Sequence, residues 1–92
     1  MRWTWDPDKA AGNRAKHGVS FETALAVFDD PLHLSKPDAH PDGDRWNTVG
    51  KVRTVLLLVV HTWPEDDEEV GRIISARKAT PHERKAYEDE GF

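Results

Sequence analysis
The stretch TVLLLVVHTW, residues 54–63, decides the fold class. Its β-branched and leucine side chains are apolar at both odd and even positions, a pattern typical of a strand buried on both faces. The uninterrupted apolar run, residues 55–60, is far shorter than the roughly 20 residues that a membrane-spanning helix needs. We therefore expect a central β-strand and no membrane-spanning segment.

Downstream of this strand, the pattern predicts a further strand and a helix. Residues 70–76 are predicted to pair with it across an acidic tip, the run EDDEE at 65–69. A final helix is predicted to begin after Thr80, because Thr80 and Glu83 fit a capping box and Pro81 suits the first helical position. This helix is expected to continue to the end of the chain.

Upstream of the central strand, the pattern predicts two helices among three short strands. The first helix is capped by Asp6 and ends at His17 before Gly18, and the second is capped by Ser20 and ends at the DDP motif, residues 29–31. The short strands are predicted at residues 2–5, 32–36 and 45–49, the last followed by a turn at Gly50–Lys51. The order β-α-α-β-β-β-β-α predicts an α+β fold: a mostly antiparallel sheet with an N-terminal helical hairpin and a C-terminal helix.

Composition restricts the kind of protein. The chain has 92 residues, which predicts one domain over residues 1–92, and it has no cysteine for a disulfide or a thiol nucleophile. With no secretory signal visible at the N-terminus, we expect a cytoplasmic protein. The 13 Lys and Arg against 17 Asp and Glu argue against nucleic-acid binding by net charge alone, although five of the acids lie in the run at 65–69.

Histidines and acids of the loop between residues 33 and 44 do not form a recognisable metal site. Their spacing matches no zinc pattern, and a loop rich in Pro and Asp would not hold ligands in fixed geometry. We predict neither a metal site nor another cofactor.

The chemistry that the sequence offers is a set of cations and imidazoles on the regular elements. Metal-free RNA cleavage needs a group that removes the 2′-hydroxyl proton, a group that protonates the leaving 5′-oxygen, and cations for the phosphorane. We predict catalytic roles for His17, Arg45, His61 and Arg77. We predict RNA contacts for Lys9, Asn13, Lys16, Arg72 and Lys78.

Structural roles stay open for several of these residues. His17 can cap the C-terminus of its helix, and His61 can be a strand residue hydrogen-bonded to a neighbouring loop. Arg72 shares the parity of apolar neighbours, so it can extend its charged end from the edge of the core. The four tryptophans can stack on bases, but they can equally pack the core and its rim.

Several motifs resemble the BrnT toxin family. They are WDP at 5–7 with Lys9 and Asn13, KHGVSF at 16–21, FDDP at 28–31, VVHT at 59–62, RIISARKA at 72–79, and Glu83, Arg84 and Tyr87 in the last helix. The resemblance implies a RelE/ParE-like fold and a ribonuclease toxin of a type II toxin–antitoxin pair. It also implies a BrnA-like antitoxin whose ribbon-helix-helix domain binds operator DNA, in a complex of two toxins and two antitoxins. The chain departs from the family at Asp44, where members commonly have Glu.

The leading interpretation is therefore an endoribonuclease toxin that cleaves RNA without a metal, inhibits translation and is neutralised by its antitoxin. Operator DNA is expected to be bound through the antitoxin alone. A non-catalytic binding module and a toxin of the same fold that acts on DNA gyrase are the two alternatives. RNA cleavage in the presence of EDTA discriminates between them.

Overall fold
The computed structural model describes residues 2–39, 44–63 and 70–91. Five strands form one sheet in the order β1-β5-β4-β3-β2, in which β1 is parallel to β5 and every other pair is antiparallel. The elements are β1 (Arg2–Thr4), α1 (Pro7–His17), α2 (Phe21–Ala24), β2 (Leu34–Pro37), β3 (Arg45–Val52), β4 (Val55–Thr62), β5 (Val70–Lys78) and α3 (Pro81–Glu88), with a 3₁₀ segment Leu25–Asp29 directly after α2.

This arrangement confirms the predicted α+β class and the predicted order of elements. It also confirms that β4 is the central strand. The acidic run at 65–69, predicted as the tip between β4 and β5, lies outside the described residues.

The predicted beginnings of α1 and α3 and the predicted end of α1 are confirmed as well. The Asp6 carboxylate accepts hydrogen bonds from the backbone N–H groups of Asp8 (2.8 Å) and Lys9 (3.3 Å), and Gly18 ends α1 in the left-handed conformation with φ 72°. Thr80 and Glu83 form both hydrogen bonds of the capping box that begins α3. Helix α3 ends at Glu88, so the prediction that it continues to the end of the chain is wrong.

One turn and one helix differ from the prediction. The hairpin between β3 and β4 turns at Arg53–Thr54, with Arg53 at φ 58°, so the prediction of a turn at Gly50–Lys51 is wrong. Gly50 lies inside β3. Glycine is needed there because a Cβ at this position would be 2.7 Å from Val27 Cγ1. The second helix is α-helical only to Ala24 and then tightens into the 3₁₀ segment, in which Phe28 stacks on Trp3 at a centroid distance of 4.4 Å.

Each face of the sheet carries its own apolar cluster. The inner face packs against α1, α2 and the 3₁₀ segment and contributes Leu57, Val59, Ile73 and Ala76 to the larger cluster. The opposite, outer face packs under α3, where Val49, Leu58 and Ala79 contact Tyr87 and neighbouring residues. Helix α3 therefore covers part of the outer face.

Asn13 attaches α1 to the edge of β5. Strand β1 pairs with β5 only from Val70 to Arg72. Further along, Asn13 Nδ2 donates to Ala76 O (2.8 Å) and to Val19 O (3.1 Å), while Asn13 Oδ1 accepts from Ala76 N (3.2 Å). The Asn13 carboxamide thus takes the place of a neighbouring strand for Ala76. Although this carboxamide is buried, its oxygen and its nitrogen are both hydrogen-bonded.

Asp30 joins three separate elements on the other side of the molecule. Its Oδ2 accepts from the Tyr87 hydroxyl (2.6 Å) and from Lys51 N (2.8 Å), and its Oδ1 accepts from Leu32 N (2.9 Å). Partial burial favours protonation of Asp30, but these hydrogen bonds outweigh it and lower the pKa of the carboxyl group. In turn, the hydrogen bond to Asp30, with some burial, raises the pKa of Tyr87 to about 12.

We predict that this tyrosine ionises late. Tyr87 is the single tyrosine of the chain, so absorbance at 295 nm reports its titration alone. The stabilisation from its raised pKa is complete below the unfolded value of about 10 and is lost as the pH rises through about 12. The folded protein should show a midpoint near 12, and Asp30→Asn should lower the midpoint. Equal midpoints in the two proteins would mean that the hydrogen bond to Asp30 does not raise the pKa of Tyr87.

Candidate functional site
The three predicted site arginines lie on the outer face of the sheet. Arg45 pairs with Thr62, next to the inward-facing pair Trp46 and His61. Arg72 and Arg77 adjoin Ile73 and Ala76, which belong to the inner core. Since successive side chains of a strand point to opposite faces, all three arginines point away from that core.

The structure does not bring Arg45 and Arg77 together. Arg45 pairs with Thr62 and Arg77 pairs with Leu58, which lies four residues earlier on β4. With two strand spacings between β3 and β5, the two Cα atoms are roughly 16 Å apart. Arg45 and Arg77 therefore cannot bind the same phosphate through short contacts.

A second group of predicted residues lies along α1. Lys9, Lys16 and His17 are four residues before, three after and four after Asn13, so they occupy the side of α1 that faces β5. The two lysines are exposed and His17 is half-buried. We call the region that these three residues form with Arg72 and Arg77 the α1–β5 surface.

Arg77 is already paired within the protein. Its Nη1 donates to Glu83 Oε1 (2.7 Å) and its Nη2 donates to Glu83 Oε2 (2.9 Å), a two-pronged contact that ties β5 to the start of α3. The hydrogen bonds to Glu83 raise the pKa of Arg77, and those from Arg77 lower the pKa of Glu83 although partial burial opposes this. A phosphate at Arg77 must displace this carboxylate or use the remaining N–H groups.

His61 lies in the core. The side chain has no exposed surface, and its ring is in edge contact with Trp3 (5.2 Å) and Phe28 (5.0 Å). Because a carbonyl can only accept, Nδ1 donates to Thr62 O (2.9 Å), and Nε2 accepts from Thr48 Oγ1 (2.6 Å). Burial lowers the pKa of His61 and favours the neutral ring.

Two predicted site residues, Asn13 and His61, are thus engaged in internal hydrogen bonds and do not reach the surface. Lys78 is exposed. It pairs with the inward-facing Leu57 on β4, so its side chain starts from the opposite face of the sheet to that of Arg77. Sequence reasoning missed Glu83 as the partner of Arg77, because only the fold brings the start of α3 back to β5. It also missed Arg14 and Arg53, which line a cleft with Lys78.

Two further observations concern metals and membranes. Within residues 2–39, 44–63 and 70–91, no group of three or more His, Asp or Glu side chains is placed to hold a metal ion. In the same described part of the chain, no helix has the length and apolar character required to span a membrane.

Comparisons with known proteins place this geometry in a family. A family model described as "Ribonuclease toxin, BrnT, of type II toxin-antitoxin system" matches residues 5–83. The fold is similar to the 1.1 Å crystal structure of the Brucella abortus ribonuclease toxin BrnT, with a TM-score of 0.71 and 27% sequence identity over 87% of this chain and 97% of that chain. No curated protein matches the sequence.

Proposed function
Since this chain belongs to the BrnT family of ribonuclease toxins of type II toxin–antitoxin systems, we propose that it cleaves RNA at the α1–β5 surface without a metal ion and thereby inhibits translation. The observation that supports this proposal is the pair of hydrogen bonds from Asn13 to Ala76, which holds the side of α1 that carries Lys9, Lys16 and His17 at the edge of β5, the strand that carries Arg72 and Arg77.

The proposed reaction is cleavage of the RNA backbone by its own 2′-hydroxyl group. The 2′-oxygen attacks the adjacent phosphorus while its proton passes to a base, and the bond from phosphorus to the 5′-oxygen breaks as that oxygen takes up a proton. The products are a 2′,3′-cyclic phosphate and a 5′-hydroxyl. His17 is the imidazole that we assign to proton transfer, because His61 is buried.

The cations have separate positions along the RNA. We assign the charge that develops on the phosphorane to Arg77. Arg72 lies five residues earlier on β5, roughly 16 Å away, so we assign it with Lys9 and Lys16 to neighbouring phosphates. We assign Arg45, at the other end of the outer face, to a more distant phosphate of the same RNA strand. In the absence of RNA the Arg77 guanidinium pairs with Glu83, and we propose that the RNA phosphate displaces this carboxylate.

The family also implies a cognate antitoxin. We propose that it is BrnA-like, that its ribbon-helix-helix domain binds operator DNA, and that two toxins assemble with two antitoxins. The toxin then contacts operator DNA only through the antitoxin.

We expect the purified chain to cleave RNA in EDTA. His17→Ala should lower the rate by about 10²–10⁴, the usual contribution of a general acid or base. Lys85→Ala, which changes an exposed cation on α3, is the matched control and should leave the rate unchanged. Loss of cleavage on chelation, with recovery on adding one metal, would contradict metal independence. Intact RNA together with gyrase inhibition would support the gyrase alternative, and intact RNA without it a binding module.

A pair of variants separates catalysis from packing at Arg77. Both Arg77→Ala and Glu83→Gln break the ion pair, and the glutamine that replaces Glu83 can still complete the capping box. Each should cost about 1 kcal/mol or less of stability, because Arg77 is 35% exposed. Only Arg77→Ala should lower the cleavage rate, by about 10²–10³, and Arg77→Lys should restore part of it. If the two variants lose activity equally, the role of Arg77 is to hold α3.

A further inference from the structure
A second surface, apart from the α1–β5 surface, has the properties of a protein-docking site. It is an open cleft of about 650 Å³ between the α1–α2 turn and the end of the β3–β4 hairpin. Its aliphatic lining consists of Val19, Ala26, Val52, Val55 and Leu57. Val55, at the start of β4, is 39% exposed and forms the open end of this aliphatic floor.

The charges around this floor are all of one sign. Arg14, Arg53 and Lys78 line the cleft and are exposed, and no acidic side chain is among the lining residues in the part of the chain that the structure describes. The chain as a whole carries a net charge of −4, so this concentration of positive charge is a local feature. An anionic occupant is therefore favoured here.

The cleft extends around α1 from the side that carries Lys9 and Lys16. Arg14 directly follows Asn13, which places its side chain about 100° further around the helix, away from the edge of β5. An occupant of the cleft can therefore bind without covering Lys9 or Lys16, whereas His17, three residues after Arg14, lies at the border between the two surfaces.

The lining also indicates the class of the occupant. The cleft combines five aliphatic side chains with three basic ones, and none of its described lining residues is aromatic. Aliphatic walls with basic groups at the rim suit a peptide segment that carries aliphatic side chains on one side and carboxylates on the other. We propose that the cleft binds an acidic, amphipathic segment of the cognate antitoxin; this rests on the proposed toxin function.

The experiment titrates the full-length toxin with its purified antitoxin by calorimetry. The test variant is Arg14→Glu/Arg53→Glu, and the control is Arg84→Glu/Lys85→Glu, which makes the same charge change on α3. The test variant should bind the antitoxin at least tenfold more weakly, and both variants should cleave RNA within twofold of the native rate. Arg14→Gln/Arg53→Gln, a milder change, should weaken binding less and reduce its dependence on salt.

Other outcomes would overturn the docking site. Equal affinity of the native toxin and the test variant places the antitoxin elsewhere. A fall in RNA cleavage that accompanies the fall in affinity makes the cleft part of the RNA site. Dissociation of a toxin dimer in the test variant identifies a second copy as the occupant. If the native chain fails to cleave RNA, the proposed function fails while the affinity comparison still reports on the cleft.

Discussion
The carboxamide of Asn13 sets the position and rotation of α1, and both surfaces of the molecule depend on that rotation. By bonding to both backbone groups of Ala76, it extends the edge of β5 beyond the short strand β1. One side of α1 is then held along β5 with Lys9, Lys16 and His17, and Arg14 turns toward the cleft. A single buried amide thus separates the surface that we assign to RNA from the surface that we assign to the antitoxin.

Helix α3 is positioned by two polar contacts at different places. The Arg77–Glu83 pair ties its first turn to β5, and the Tyr87–Asp30 hydrogen bond ties its last turn to the segment after the 3₁₀ helix. Because Asp30 also accepts from Lys51 N, the same carboxylate fixes the end of β3. Two acidic residues, Asp30 and Glu83, therefore hold elements of the fold together. The net charge of the chain alone is a poor description of its surface.

Much of the fold could be predicted because the signals are local. The two-sided apolar pattern of β4 and the caps at Asp6, Gly18 and Thr80 depend on neighbouring residues. The sequence does not locate the hairpin turn correctly, because glycine is typical of turns, whereas at Gly50 the absence of a side chain makes room for Val27. Burial of Asn13 and His61, and the separation of Arg45 from Arg77, follow from tertiary contacts and strand register, which the spacing of residues does not contain.

Asn13→Ala tests the central claim most directly, with Lys9→Ala as the exposed control on α1. If Asn13 joins α1 to β5, its loss leaves Ala76 N, Ala76 O and Val19 O without their partner and should cost about 2–4 kcal/mol of stability. Hydrogen exchange at the Ala76 amide should accelerate strongly in Asn13→Ala and stay slow in the control. Unchanged stability and exchange, together with weakened RNA binding, would instead identify Asn13 as an RNA ligand and contradict this account.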